Sequence, residues 1–297
     1  MYDLHNKLVI GISSRALFDL EMENEIFVSK GLSEYKIFQV EHENELLENG
    51  TAFSLVKALL DLNNKFEEPI VEVIVMSRNS PETGLRVFNS IEAKKLGIYR
   101  AAFSGGENIT KYLSAFDVDL FLTKNEEDVQ EAIDAGFAAA LIYDVPNEYT
   151  PDDKEIRIAF DGDAVIFSEE SEAIYKKHGL DAFIQHEKIN VEKKLPDGPF
   201  AKLLRTLSKI KEKYPNMLRI AIVTARNNPA HKRVILTLRQ WNVDVDEAFF
   251  LGGVGKKEVL KAFNAHIFFD DQDVHVKPAS QEVPSGRVPY KSNSDLA

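Results

Sequence analysis

Short apolar, β-branched runs alternate with amphipathic segments from one end of the 297-residue chain to the other. Runs of strand length begin near Leu8, Val71, Ala101, Leu120 and Ala138, and again near Ile156, Leu218, Ala248 and Ile267. Thr51 to Asn63, Pro81 to Lys95 and Asn125 to Ala135 carry helix-period patterns between them. Strands alternating with helices predict α/β layers around largely parallel sheets. Asn147 to Lys154, polar and holding a proline, is the best linker candidate, so the expected domains are 1–150 and 151–297.

The two halves share landmarks at a nearly fixed spacing. Gly31 matches Gly179, Gly50 matches Gly198 and Arg78 matches Arg226, each at an offset of 148 (179 − 31, 198 − 50, 226 − 78). Gly105-Gly106 matches Gly252-Gly253 at an offset of 147 (252 − 105). Such persistence predicts an internal duplication into two Rossmann-like units.

The chemistry-bearing positions behave differently from these landmarks. Ile156 to Phe167 is an apolar run that stops at Asp161-Gly162-Asp163. The carboxyl end of a strand is where α/β sheets bind ligands, and the glycine lets a phosphate or metal approach the backbone. An Asp-Gly turn is the bland alternative; a calcium loop is disfavoured because its alternating oxygen ligands do not follow. Further on come Thr224 at the tip of a second run, Lys256 after a glycine-rich turn, and Asp270-Asp271 closing a third run. An acid pair, a hydroxyl, a lysine and a second acid pair are the parts that phosphoryl transfer needs. Carrying the offset back puts Ser13, Arg15, Met76, Ile109, Thr123 and Lys124 at the equivalent places. The first copy keeps the scaffold and replaces every candidate catalytic residue.

Composition narrows the field. The chain is 44% hydrophobic and 28% charged, as expected of a globular protein. Its 36 basic and 48 acidic residues give a net charge of −12, which argues against a nucleic-acid surface but not against a local pocket for a small anion. With no cysteine there is no disulfide, thiolate metal site or cysteine nucleophile. The histidines show no zinc spacing, and neither a Walker A sequence nor a dinucleotide fingerprint occurs. No signal peptide or membrane-length run is seen, so a cytoplasmic protein with no membrane partner is expected.

The four segments resemble the four motifs of the haloacid dehalogenase-like phosphohydrolases. Phe-Asp-Gly-Asp-Ala-Val-Ile-Phe-Ser-Glu-Glu-Ser-Glu and Phe-Phe-Asp-Asp-Gln resemble the type I cytosolic 5'-nucleotidase family more closely. So do Ile-Ser-Ser-Arg-Ala-Leu-Phe-Asp-Leu (12–20) and Met-Ser-Arg-Asn-Ser-Pro-Glu-Thr-Gly (76–84) in the first half. The resemblance implies two haloacid dehalogenase-like units, the first degenerate and the second catalytic. Ser168 to Pro215, longer than a simple crossover requires and holding a β-prone patch at Phe183 to Gln185, predicts a small cap insertion at about 168–215 in the second. The resemblance implies hydrolysis of nucleoside 5'-monophosphates with Mg²⁺; a phosphatase of sugar phosphates or other metabolites, or a non-catalytic nucleotide sensor, is the alternative.

The resemblance also implies roles. Asp161 attacks phosphorus to form an aspartyl-phosphate, Asp163 is general acid and then base, Thr224 holds a phosphoryl oxygen, and Lys256 neutralises charge and positions Asp161. Asp161, the Asp163 backbone carbonyl and Asp271 are the expected Mg²⁺ ligands, with Asp270 behind a water; Asp271 is favoured over Asp270 as the direct ligand. Arg226, kept as Arg78 in the first copy, is either a substrate contact or an ion-pairing residue. Phe183 and Phe200 are either core or a stacking surface for a nucleobase. The first unit is either scaffold or, through Arg15 and Lys124, a basic pocket for a nucleotide effector. A homo-oligomer is compatible with all of this.

Overall fold

The computed structural model describes residues 3–5, 7–144, 146, 149–151 and 154–297. The expected linker at 147–154 therefore lies partly outside the described residues. The chain resolves into two compact units, residues 1–131 and 132–297. That division falls before the 150/151 boundary taken from the linker, because strand 139–142 pairs with a strand of the second unit.

The first unit holds β1 (Leu8–Ile12), α1 (Ser14–Leu17), α2 (Glu21–Lys30), α3 (Leu32–Glu41), α4 (Phe53–Leu62), β2 (Val71–Ser77), α5 (Leu85–Ala93), β3 (Arg100–Phe103) and β4 (Leu120–Thr123). α6 (Glu126–Asp134) carries the chain across the division. The strands lie in the order β3-β2-β1-β4, and each of these pairings is parallel. β1, Leu-Val-Ile-Gly-Ile, is buried at every position, the signature of a strand covered on both faces. α4 buries Phe53, Leu55, Val56, Leu59 and Leu60 along one stripe, as its period predicts.

The second unit holds β5 (Ala139–Ile142), β6 (Ile156–Phe160), α7 (Glu170–Ile189), α8 (Ala201–Lys213), β7 (Leu218–Thr224), α9 (His231–Gln240), β8 (Glu247–Phe250), α10 (Lys257–Phe263), β9 (Ile267–Asp270), α11 (Asp273–Ala279) and β10 (Ser285–Arg287). Its order is β5-β10-β9-β6-β7-β8, parallel throughout except for the β5–β10 pair. The protein is thus mixed α/β with mostly parallel strands. β10, only three residues long and containing a glycine, is a strand the hydrophobic pattern did not announce.

The shared glycines have structural reasons. A Cβ on Gly198 would sit 2.3 Å from the Phe167 carbonyl oxygen, and one on Gly50 would sit 2.8 Å from the Ala16 carbonyl oxygen, so backbone packs on backbone at both. Gly31 (φ 84°) separates α2 from α3, and Gly179 (φ 79°) breaks α7 in the same conformation. The helical pair after the first strand is therefore common to both units, and 168–215 is not an addition peculiar to the second. The β-prone patch at 183–185 is also helical, inside α7, where Phe183 and Glu187 lie one turn apart and are both buried.

Candidate active site

β6 ends at Phe160, and the chain leaves the sheet at Asp161 with extended backbone (φ −68°, ψ 160°) before a tight turn with Ala164 at φ 59°. β7 and β9 flank β6 in parallel register, Phe160 facing Ile222 on one side and Phe269 on the other. Their last residues, Thr224 and Asp270, therefore finish at the same edge as Asp161. Asp271 follows directly, and Lys256 stands one residue before α10. The alternation of strand and helix thus delivers Asp161, Thr224, Lys256, Asp270 and Asp271 to one place.

There Asp161, Asp270 and Asp271 each offer a carboxylate oxygen, the three within 4.8 Å of one another and all buried. Lys256 Nζ bridges two of them, 2.8 Å from Asp161 Oδ1 and 2.6 Å from Asp270 Oδ2. Asp270 Oδ1 accepts from the Gln272 N–H at 2.9 Å, so both its oxygens are engaged. Asp271 Oδ2 accepts from the Tyr290 hydroxyl, but Asp271 Oδ1 is buried with no hydrogen bond. Asp161 Oδ1 likewise makes no well-directed hydrogen bond, although Lys256 is close.

Electrostatics reinforces that pattern. Burial, with the charge of Asp270, pushes Asp161 up to about 7 against the pull of Lys256. Burial, followed by Glu172, Asp161 and Asp270, pushes Asp271 well above the carboxylate range. Burial raises Asp270 too, with Lys256 opposing it. Lys256 stays protonated because Asp161 and Asp270 outweigh its own burial. Three acids with one lysine, and an orphaned oxygen on Asp271, make a donor set that a hard divalent cation fits: all-oxygen, crowded with like charge and incompletely hydrogen-bonded. Asp271, with its orphaned oxygen, suits direct ligation better than Asp270.

Thr224 is buried, and its Oγ1 accepts from the Arg226 N–H at 3.2 Å. Its hydroxyl proton remains available to a ligand oxygen. A Cβ on Gly162 would stand 3.4 Å from the same Oγ1, so glycine keeps that approach open.

Arg226 is an ion-pairing residue in this structure. Its Nε and Nη2 donate to Asp163 Oδ2 and Oδ1 at 2.7 and 2.6 Å, and its Nη1 donates to Glu187. Glu187 also accepts from Arg233 at 2.9 Å and Ser171 at 2.8 Å, and these cations hold it ionised despite its burial. Asp163 is thus clamped by a guanidinium fork. The Arg226 guanidinium also lies over the Phe183 ring, 5.5 Å from its centre, so Phe183 lines the site's ionic network. Phe200 is not a nucleobase platform: it has no exposed surface and packs on Phe160 and Phe269 beneath the sheet.

Glu187, Arg233, Glu172 and Tyr290 escaped the sequence reading. Glu187 stands 148 residues after Gln39 (187 − 39), and both are buried polar residues, so the offset carried a signal for it. Glu172 pairs with Lys176 at 3.1 Å and accepts from Gln272 at 2.8 Å. Tyr290 lies beyond the last shared landmark, where nothing marked it.

Acids, a lysine and a hydroxyl gathered at the carboxyl ends of parallel strands define a phosphate-handling α/β site. A model of the 5'-nucleotidase family matches residues 1–295, and the chain belongs to that family, one of phosphoric monoester hydrolases. It is 36% identical over 290 residues to human cytosolic 5'-nucleotidase 1B, covering 93% of this chain and 48% of the relative. The chain spans about half the length of that curated relative. Among solved structures, the HAD domain of the Legionella pneumophila effector protein Lem4 is similar at a TM-score of 0.30 and 14% identity, covering 48% of this chain and 89% of that one. A universal stress protein from Pseudomonas aeruginosa is similar at a TM-score of 0.36 and 8% identity, covering 97% of this chain and 94% of that one. Among the described residues no helix is long and apolar enough to cross a membrane.

Proposed function

We propose that the second unit hydrolyses nucleoside 5'-monophosphates to nucleoside and phosphate, with Asp161 as nucleophile. The observation that carries this reading is the convergence of Asp161, Asp270 and Asp271 within 4.8 Å, with Lys256 between the first two. The nucleotide part rests on family membership, and a cytosolic setting on the wording of the relative's name.

Asp161 attacks phosphorus in line and the ester oxygen departs, leaving an acyl-phosphate on the Asp161 carboxylate; water then cleaves it, returning the carboxylate and releasing phosphate. Mg²⁺, held by Asp161, the Asp163 carbonyl and Asp271, would screen the repulsion between carboxylate and phosphate. Lys256 balances the charge gathered on Asp161 and the transferring group, and Thr224 donates its hydroxyl to a phosphoryl oxygen. Asp163 delivers the proton to the leaving oxygen and takes one from the water, for which one of its oxygens must leave the Arg226 fork. α7, bearing Glu172, Phe183 and Glu187, serves as the wall that keeps bulk water from the acids. We further infer that the two units arose by duplication, supported by their matching strand order and paired glycine conformations.

The test is phosphate release from nucleoside 5'-monophosphates, deoxynucleotides and sugar phosphates, with Mg²⁺ and with EDTA, for wild type and Asp161→Asn. Metal-dependent release that prefers nucleotides and is lost in the variant is expected. Release from sugar phosphates alone would overturn the substrate, and equal, negligible release from both proteins would overturn catalysis in favour of a sensor.

A further inference from the structure

A cavity lies away from the acid cluster. It has a volume of about 400 Å³ and opens in the first unit at the carboxyl ends of β1, β2 and β4, lined by Ser13, Arg15, Ser77, Asn79, Thr123 and Lys124 among others. Serine and threonine hydroxyls stand at the ends of three parallel strands, beside two cations. Among the described residues no metal-binding group of acids occurs there. The acids nearby are already tied: Asp128 to Arg78 at 2.6 Å and Glu23 to Arg86.

What joins the two cations is Glu21, in the first turn of α2. Its Oε2 accepts from Arg15 Nη2 at 2.7 Å and its Oε1 from Lys124 Nζ at 2.7 Å. Burial works to raise its pKa, but these hydrogen bonds and charges outweigh it and hold the carboxylate ionised. The Glu21 side chain is 44% exposed, so it can swing away without opening the core. Arg15 Nε is buried without a hydrogen bond, a donor not yet used. Arg15 and Lys124 thus share one half-exposed carboxylate at the wall of a cavity of ligand size. Phe27 and Tyr35, in edge contact at 5.9 Å, give that cavity an apolar wall.

We propose that this cavity binds the phosphate group of a phosphorylated small molecule, without metal and without hydrolysing it, the phosphate taking the place of Glu21 between Arg15 and Lys124. A phosphate offers more acceptor oxygens than a carboxylate and can reach Arg15 Nε and the strand-end hydroxyls at once. The remainder of the ligand lies against Phe27 and Tyr35. No carboxylate stands where Asp161 does in the second unit, so the bound ester stays intact. The inference does not depend on the catalytic reading.

The test is isothermal titration of the full chain carrying Asp161→Asn, in EDTA, with inorganic phosphate, adenosine 5'-monophosphate and adenosine. Both phosphate-bearing probes should bind, and Arg15→Gln with Lys124→Gln should weaken them by roughly tenfold or more. Glu21→Gln should tighten them several-fold by removing the competing carboxylate, a gain that a merely structural role would not give. Adenosine binding as tightly as its monophosphate would overturn the proposal. So would the absence of heat from either phosphate-bearing probe, or a Glu21→Gln protein whose affinities match the parent, even should the double variant fail to fold.

Discussion

At the end of β6 the chain presents Asp161; at the end of β1 it presents Ser13, whose hydroxyl merely caps the next turn by accepting from the Ala16 N–H. Where β9 runs into Asp270 and Asp271, β4 runs into Thr123 and Lys124. Where Lys256 stands buried between two acids, the first unit has Ile109, wholly buried. The order β3-β2-β1-β4 in the first unit repeats as β8-β7-β6-β9 in the second, with the same glycine conformations, so the scaffold has no need of the acids. The acids in fact burden the fold: burial drives Asp161, Asp270 and Asp271 towards protonation, and like charges crowd together. A cluster that costs stability in one unit and is absent from its counterpart is best explained by chemistry.

The comparison can be broken most sharply by replacing, one at a time, the two residues at the strand ends. Asp161→Asn should lower phosphate release by roughly three orders of magnitude or more, whereas Ser13→Ala should leave the rate within about twofold. Steady-state assays of both variants decide it, and a large loss in Ser13→Ala would move chemistry into the first unit.

Next in size is the ionic network around Asp163. Glu187→Ala strips an acid from two buried guanidinium groups, Arg226 and Arg233, and should cost about 3–5 kcal/mol in urea unfolding. Arg78→Gln, at a partly exposed pair in the first unit, should cost only about 1 kcal/mol. Phe200→Leu should cost about 1–2 kcal/mol and leave KM for nucleotides unchanged, since the ring is core; a raised KM would return it to the substrate.

The smallest effect concerns pH. Asp161 has a folded value of about 7 against an ordinary 3.8, so between those values the folded protein binds more protons than the unfolded one. Without metal, stability should therefore fall as pH rises from about 4 to about 7. Thermal melts should show Mg²⁺ raising Tm by roughly 3 °C more at pH 8 than at pH 5. Among the described residues the first unit offers no such acid cluster, and Asp161→Asn should flatten the difference.

Most strands were legible because buried parallel strands such as β1, β2 and β7 write themselves as continuous apolar runs; nine starts were visible, and among the described residues only β10, with its glycine and three residues, was too short to register. The acid and lysine positions were legible because strand ends and helix starts fix them in sequence. Long-range ion pairing was not. Nothing local tells that Arg226 reaches back to Asp163 or forward in space to Glu187, so its ionic role emerged only from the fold. Phe183 to Gln185 misled through β propensity, which the buried face of α7 overrode. Phe200 was ambiguous for a related reason, since an aromatic's sequence does not say which side of a sheet it faces.

The central claim is that Asp161, and no residue of the first unit, takes the phosphoryl group. The direct measurement is an acid quench of the turning-over protein, borohydride reduction of any acyl-phosphate, and peptide mapping by mass spectrometry. The account predicts a reduced side chain at Asp161 and none elsewhere. A reduced carboxyl at another residue, or undiminished turnover in Asp161→Asn, would contradict it.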